Sequence, residues 1–223
     1  MTRLLVLAAV DVEARSLARH LGLSPAPGPS LRFAAGGLEV AVIGLAGAHL
    51  GRIAPPAPGT LVVSAGACGA LAPELAVGAL VVPETVITPD ERRLATAAVP
   101  GLARQGALVS AARVVEDAAA KSRLWLSTGA LAVDMESAAI LDWAANHALP
   151  AAVVRGVSDP AGRGVPADLA RVVQDDGRVR PLRAVSAVLA RPGALADAMA
   201  LRAGTTAALK TVAAALGRLQ RAL

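Results

Sequence analysis

Apolar residues along this 223-residue chain fall into short runs separated by helical patterns. Runs rich in Val, Leu and Ala cover residues 3–9, 39–44, 60–65, 78–86, 106–110, 130–133 and 151–157. Their length and composition predict buried strands. The stretch "LRFAA" at 31–35, followed by Gly36 and Gly37, predicts the first arm of a hairpin leading into 39–44. Helical spacing predicts helices at 11–21, 116–127, 135–148, 167–174 and 181–190, and a long one over 193–221. In the last, Leu209, Val212, Leu216, Leu219 and Leu223 recur at steps of three and four residues. Such a single apolar stripe is expected to pack on its own domain. Strands alternating with helices predict the α/β class, with a mostly parallel sheet covered on both faces. No charged or Ser-rich linker divides the chain, so one domain over residues 1–223 is expected.

Composition narrows the partners. The net charge of +5 comes from arginine in a chain with few acids. Its C-terminal third is the most basic, with Arg178, Arg180, Arg183, Arg191, Arg202, Lys210, Arg218 and Arg221. Nucleic-acid binding usually adds aromatic stacking platforms, and here there are only Phe33, Trp125 and Trp143. An arginine-rich solvated surface is the simpler reading, with attraction to an anionic membrane surface as the lesser one. Cys68 is the single cysteine, which excludes an intrachain disulfide and fits a reducing cytoplasm. The opening "MTRLLVLAAVDVEA" reads as a buried first strand, because its apolar stretch runs straight into Asp11 and Glu13 without a cleavage site. The uncharged stretch 53–73 carries Pro55, Pro56, Pro58, Gly59, Gly66 and Gly69, which predicts strand, turn and loop over a membrane helix.

Candidate chemistry sits where strands end. "LLVLAAV" ends at "DVEA" (11–14) and "ALAV" ends at "DMES" (134–137), each with Glu two residues after Asp. Asp is a good N-cap and Glu in a first turn suits the helix dipole, so either pair alone reads as a helix start. Asp134 is expected to cap. A third strand ends in Ser158-Asp159-Pro160, where a simple turn again explains the acid alone. In a parallel sheet, however, strand C-termini share one edge, where ligands bind. Glu13, Glu136 and Asp159 are therefore expected to face one crevice. Three carboxylates in an apolar cleft are costly without a metal, a cation or polyol hydroxyls. His20, His49 and His147 have no ligand-like spacing, so no metal is expected and sugar hydroxyls are a plausible partner. "LVVSAGACGALAPELAVG" (61–78) reads as a strand followed by a glycine-rich turn whose small residues admit a ligand to the backbone. It lacks the spacing of a dinucleotide fingerprint, and a tight turn explains it equally well.

These residues resemble a known family. "AVDMESAAI" followed by "VVRGVSDPA", with "SAGACGALAPELAVGALVV" and "AAVDVEARSL" in the correct order, resembles the purine nucleoside phosphorylase and methylthioadenosine/S-adenosylhomocysteine nucleosidase superfamily. The second half is similar to a narrower branch, the hopanoid-biosynthesis-associated phosphorylases. The stretches that carry this are "EDAAAKSRLWLSTGALAVDMESAAI", "RGVSDPAGRGVPADL", "DDGRVRPL" and "LARPGALADAMAL". The resemblance implies a nucleoside phosphorylase-like three-layer α/β/α fold with a mostly parallel mixed sheet. It implies an enzyme that breaks a purine N-glycosidic bond, with adenosylhopane as the leading substrate and adenine as the product. Methylthioadenosine or S-adenosylhomocysteine cleavage is the runner-up, and a silent nucleoside-binding protein a further alternative. A receiver-like signalling domain fits poorly, since Val12 separates the first acids and no late strand ends in Lys.

The family pattern implies roles residue by residue. Asp159 would protonate the purine at N7 and Ser158 would orient it. Glu136 would accept hydrogen bonds from the ribose and Met135 would pack on the sugar face. Glu13 would position the attacking water. Gly69 and the backbone at Cys68 would line base and sugar, and Val114 or Val115 would form an apolar wall where relatives place an aromatic. Ala67 stands where nucleosidases often have a hydroxyl. No cofactor is implied, and phosphate as a co-substrate stays open. The implied partners are a small nucleoside, lipid-linked if the hopanoid branch applies, and further copies of the chain, with no nucleic acid. A cytoplasmic protein, with peripheral contact at the inner face of the membrane allowed, completes the expectation. The prolines after "GLAGAHLG" and the short 87–105 segment are expected to open the cleft toward the sugar's 5′ side. "RAGTTAAL" (202–209) imitates a phosphate loop but falls within the long terminal helix pattern.

Overall fold

The computed structural model describes residues 3–164 and 194–223. Eleven strands among the described residues form one mixed sheet. The order is β2 (Ser24–Pro25), β3 (Arg32–Ala35), β4 (Leu38–Val42), β1 (Leu4–Ala8), β5 (Leu61–Ala70), β10 (Ala132–Asp134), β9 (Ala107–Ser110), β7 (Thr85–Ile87) and β8 (Arg93–Ala95). Off this path, β11 (Ala151–Asp159) pairs with β5 and with β6 (Leu80–Val81). The pairs β1–β4, β1–β5, β5–β11, β9–β10 and β7–β9 are parallel, and the hairpin β3–β4 is antiparallel as expected.

Side chains alternate between two covered faces. Val6 and Ala8 of β1, with Val63 and Ala65 of β5, pack under α1 (Asp11–Leu21) and the long α4 (Ala194–Ala222). Leu5, Leu7 and Val62 point the other way, onto Ile140 and Ala144 of α3 (Ser137–Asn146). The period of two along buried strands thus becomes two apolar layers. In α1, Ala14, Leu17 and Ala18 face inward, and Gly22 in the left-handed region (φ 68°) stops the helix. In α4 the predicted stripe is buried at Leu209, Val212, Leu216 and Leu219, while Leu223 is exposed. "RAGTTAAL" lies within this helix. The helix comes close to β11: a Cβ on Gly204 would sit 1.9 Å from the Ser158 carbonyl oxygen. Only glycine fits there, and the contact seats the end of β11.

Several expectations change. The run 78–86 is broken into β6 and β7, because Pro83 interrupts the ladder. The "SAGACGA" stretch is no turn; it continues β5 to Ala70, pairing with β11 and β10. After β4 the chain makes two short 3-10 turns, Leu45–Gly47 and Leu50–Arg52, before the prolines. The predicted helices at 167–174 and 181–190 and the "DDGRVRPL" motif lie outside the described residues. No described helix is long and apolar enough to cross a membrane.

Candidate active site

The end of β5 gathers the candidate residues. Gly69 pairs with Val133 of β10 on one side and with Asp159 of β11 on the other. The β5–β11 register slips between Val157 and Asp159, so Ser158 and Asp159 are both buried at the strand end. A cleft of about 170 Å³ forms here. Its floor is Ala67, Cys68 and Gly69, its walls Val133–Glu136 and Ser158–Asp159, and its cover Arg113–Val115 with Lys121.

Behind one wall lies a buried charge cluster centred on Arg155, from the middle of β11. Its Nη2 is 2.6 Å from Asp134 Oδ2 and 3.5 Å from Glu136 Oε2, and donates to Ser64 Oγ at 2.8 Å. Burial works against the guanidinium charge, but Asp134, Glu136 and Glu13 outweigh it and hold its pKa above the ordinary value. Ser137 Oγ donates to Asp134 Oδ2, and Ser137 N–H to Asp134 Oδ1 at 3.3 Å. Asp134 was expected only to cap a helix. It does take the first free N–H of α3, but its main partner is Arg155; Glu136 occupies the N-cap position.

Glu13 reaches into the same cluster from α1. Its Oε1 accepts from Ala67 N–H at 2.8 Å, and its Oε2 from Ala9 N–H at 3.2 Å and Val10 N–H at 3.4 Å. Burial pushes its carboxyl up, against Arg155 and these N–H donors. Glu13 thus anchors the start of α1 to β5 and stands outside the cleft lining. Glu136 does line the cleft, with Oε1 accepting from Ala46 N–H at 3.2 Å. Burial raises its pKa to about 7, against the pull of Arg155, with Asp134 and Glu13 adding to the rise.

This shift fixes the sign of a pH effect. A carboxyl at about 7 when folded, against an ordinary value of 4.5, binds more protons in the native state across that window. Stability is therefore fuller at low pH and falls as pH rises from 4.5 toward 7. Glu136→Gln is expected to flatten this fall, a relative gain on the order of a few kcal/mol at pH 8. Melting temperatures at pH 5 and pH 8 check it; a variant less stable than wild type at pH 8 would contradict the sign.

At the opposite wall, Ser158 Oγ lies 2.6 Å from Asp159 Oδ1 and 3.1 Å from the Cys68 carbonyl oxygen. Asp159 Oδ2 pairs with the ammonium of Lys121. Burial, first among its influences, pushes the Cys68 thiol up, which keeps it neutral and unfit as a nucleophile.

The structure brings together Met135, Glu136, Ser158, Asp159, Cys68, Gly69 and Val114 around one cleft, and leaves Glu13 behind it. Two cations met none of the sequence expectations. Arg155 stood in plain view as a charge inside a buried strand, "VVRGV", which signals a paired group. Lys121 sits on a helix with no clear apolar face, so nothing in its surroundings marked it as buried. Together they answer the cost of three buried acids, which had pointed to sugar hydroxyls. Among the described residues no cluster of His, Cys, Asp and Glu could hold a metal ion.

Comparison with known proteins agrees with the fold. A family model described as the phosphorylase superfamily matches residues 95–190. A search of curated proteins gave no match. Among solved structures, a 5′-methylthioadenosine/S-adenosylhomocysteine nucleosidase from Helicobacter pylori is 18% identical with a TM-score of 0.72, over 100% of this chain and 99% of that one. The Neisseria meningitidis enzyme of the same description is 17% identical with a TM-score of 0.71, over the whole of both chains. Futalosine hydrolase of H. pylori is 17% identical with a TM-score of 0.70, over 100% of this chain and 98% of that one. The matched segment carries both acidic walls of the cleft, and the nucleosidase structures share the fold of the whole chain.

Proposed function

We propose that the protein cleaves the N-glycosidic bond of a purine nucleoside at this cleft. The observation that carries the reading is the pairing of Glu136 and Ser158–Asp159 on opposite walls over the β5 backbone. Bond breaking leaves positive charge on the sugar and negative charge on the purine. A carboxylate beside the ribose stabilises the first, and an acid at N7 removes the second. Glu136 takes the ribose hydroxyls, and Met135 packs against the sugar. Asp159 gives its proton to N7 as the C1′–N9 electron pair leaves with the base, and Ser158 holds it in place. Val114 supplies an apolar wall, and the backbone at Cys68 and Gly69 lines base and sugar. Arg155 keeps Glu136 and Asp134 fixed. Glu13, behind Ala67, braces the β5 floor of the cleft through the Ala67 N–H and does not itself reach the incoming nucleophile.

The favoured substrate is adenosylhopane, on the motif similarity of the second half. Methylthioadenosine or S-adenosylhomocysteine is the second reading, supported by the nucleosidases that share the fold. The test is adenine release from adenosylhopane and from methylthioadenosine, each with and without phosphate. Release from adenosylhopane well above methylthioadenosine is expected. Efficient methylthioadenosine turnover moves the assignment to the second reading, and strict phosphate dependence makes the reaction a phosphorolysis. No adenine from either compound under any condition sinks the proposal.

A further inference from the structure

Lys121 has no role in the reading above, yet it is one of the most buried side chains in the molecule, with 1% exposure. It belongs to α2 (Ala118–Thr128), whose first turn is fixed by Asp117 accepting from Ala120 N–H at 2.6 Å. From there its side chain crosses beneath the cleft cover to the end of β11. Its three N–H donors are all used: one on Asp159 Oδ2, one on the Pro160 carbonyl at 3.0 Å and one on the Arg163 carbonyl at 2.8 Å. None remains for a substrate. A Cβ on Gly69 would lie 3.0 Å from Asp159 Oδ2 and 3.3 Å from Lys121 Nζ, so the pair sits directly on the cleft floor.

We infer that Lys121 is a positioning residue for departure of the base. Its ammonium aligns Asp159 and stabilises the carboxylate that Asp159 becomes once its proton has passed to the purine. The inference rests on the proposed glycosidic cleavage. In the step, Asp159 begins protonated beside the ammonium, and its O–H proton moves to N7. The C1′–N9 electron pair goes to the purine, the cationic C1′ is taken by water (which then gives a proton to solvent) or by phosphate, and Asp159 is left as a carboxylate paired with Lys121. Lys121 keeps its own proton throughout. A fixed cation beside a newly formed carboxylate makes proton release easier, which is what a poor leaving group needs. The other charged or titratable groups around the pair are Cys68 on β5, Arg113 in the cover and, on the facing wall, Asp134 and Glu136. The Arg163 guanidinium is engaged elsewhere, at 2.6 Å from Asp197.

The test measures adenine release by wild type, Lys121→Met, Lys121→Gln and Lys121→Arg across pH, on whichever adenine nucleoside the wild type turns over best. Melting temperatures are recorded alongside. For the Met and Gln variants kcat on the acidic plateau is expected to fall about tenfold, with KM little changed. The descending limb of the kcat profile is expected to move up by about one pH unit or more, because an acid without its cation holds its proton longer. Lys121→Arg keeps the charge and should leave the limb near its wild-type position. The Gln variant keeps a donor toward Asp159 and the two carbonyls, so it separates charge from packing should the Met variant fail to fold. A limb that stays in place in the neutral variants, with any rate loss following melting temperature, overturns the role of Lys121. A wild type that releases no adenine overturns the cleavage reading itself, so the two failures are distinct.

Discussion

Arg155→Met is expected to destabilise the protein by about 3–5 kcal/mol, the range found when one partner of a buried charge network is removed. The substitution keeps most of the side-chain volume. What it removes is the cation that Asp134 Oδ2 meets at 2.6 Å and Glu136 Oε2 at 3.5 Å. It also exposes Glu13 to two uncompensated neighbours, with burial already pushing that carboxyl up. In the variant Glu13 and Glu136, whose carboxyls Arg155 now pulls down, favour the protonated form more strongly when folded. Its stability should therefore fall faster with rising pH than that of wild type, and the deficit should be largest near pH 8 and smaller near pH 5. Denaturant midpoints at the two pH values measure this. A loss below about 1 kcal/mol at pH 8 would mean that water or rearrangement replaces the cation. Because Arg155 also donates to Ser64 Oγ and lies at 3.4 Å from Ser137 Oγ, loss of the cation should loosen the start of α3 and with it Glu136.

The sequence made much of this frame legible because buried strands and amphipathic helices leave periodic traces. The run "LLVLAAV", the hairpin at 31–35 and the stripe from Leu209 to Leu219 all appear where their patterns place them. The misreadings have physical causes. "SAGACGA" has too little bulk to look like a strand, yet small side chains are what allow β5 to carry β11 along one edge and β10 at its end. Propensity there is overridden by tertiary pairing. The run 78–86 looked continuous because Pro83 interrupts pairing without interrupting hydrophobicity.

At the site, acids were legible because strand ends advertise them, and their partners were not. A capping acid and a paired acid have the same local sequence. Asp134 shows the ambiguity: it accepts from Ser137 N–H as a cap would, while its charge answers Arg155 across the sheet. Only the register of β10 and β11 against β5 brings residues 134 and 155 together, and register is a long-range property. Lys121, 38 residues upstream of Asp159, likewise meets it only through the tertiary fold.

Asp159→Asn is expected to reduce turnover by about 10²–10⁴-fold, the usual contribution of a well-placed general acid. Asparagine matches aspartate in shape and can still accept from Lys121 and meet Ser158 Oγ, so the fold and the cleft should persist. What it cannot do is deliver a proton to N7. Nucleoside affinity should therefore stay within about tenfold of wild type, since binding and transition-state stabilisation part company when only the acid is lost. Single-turnover adenine release and calorimetric titration with the same nucleoside separate the two quantities. A variant that keeps turnover within about threefold of wild type would remove Asp159 from the mechanism. A wild type and variant that both bind and neither turn over would make the cleft a receptor for nucleosides, with Lys121 then serving only to seat Asp159. The expected split, affinity kept and turnover lost, requires that the proton taken up by the purine come from this one carboxyl.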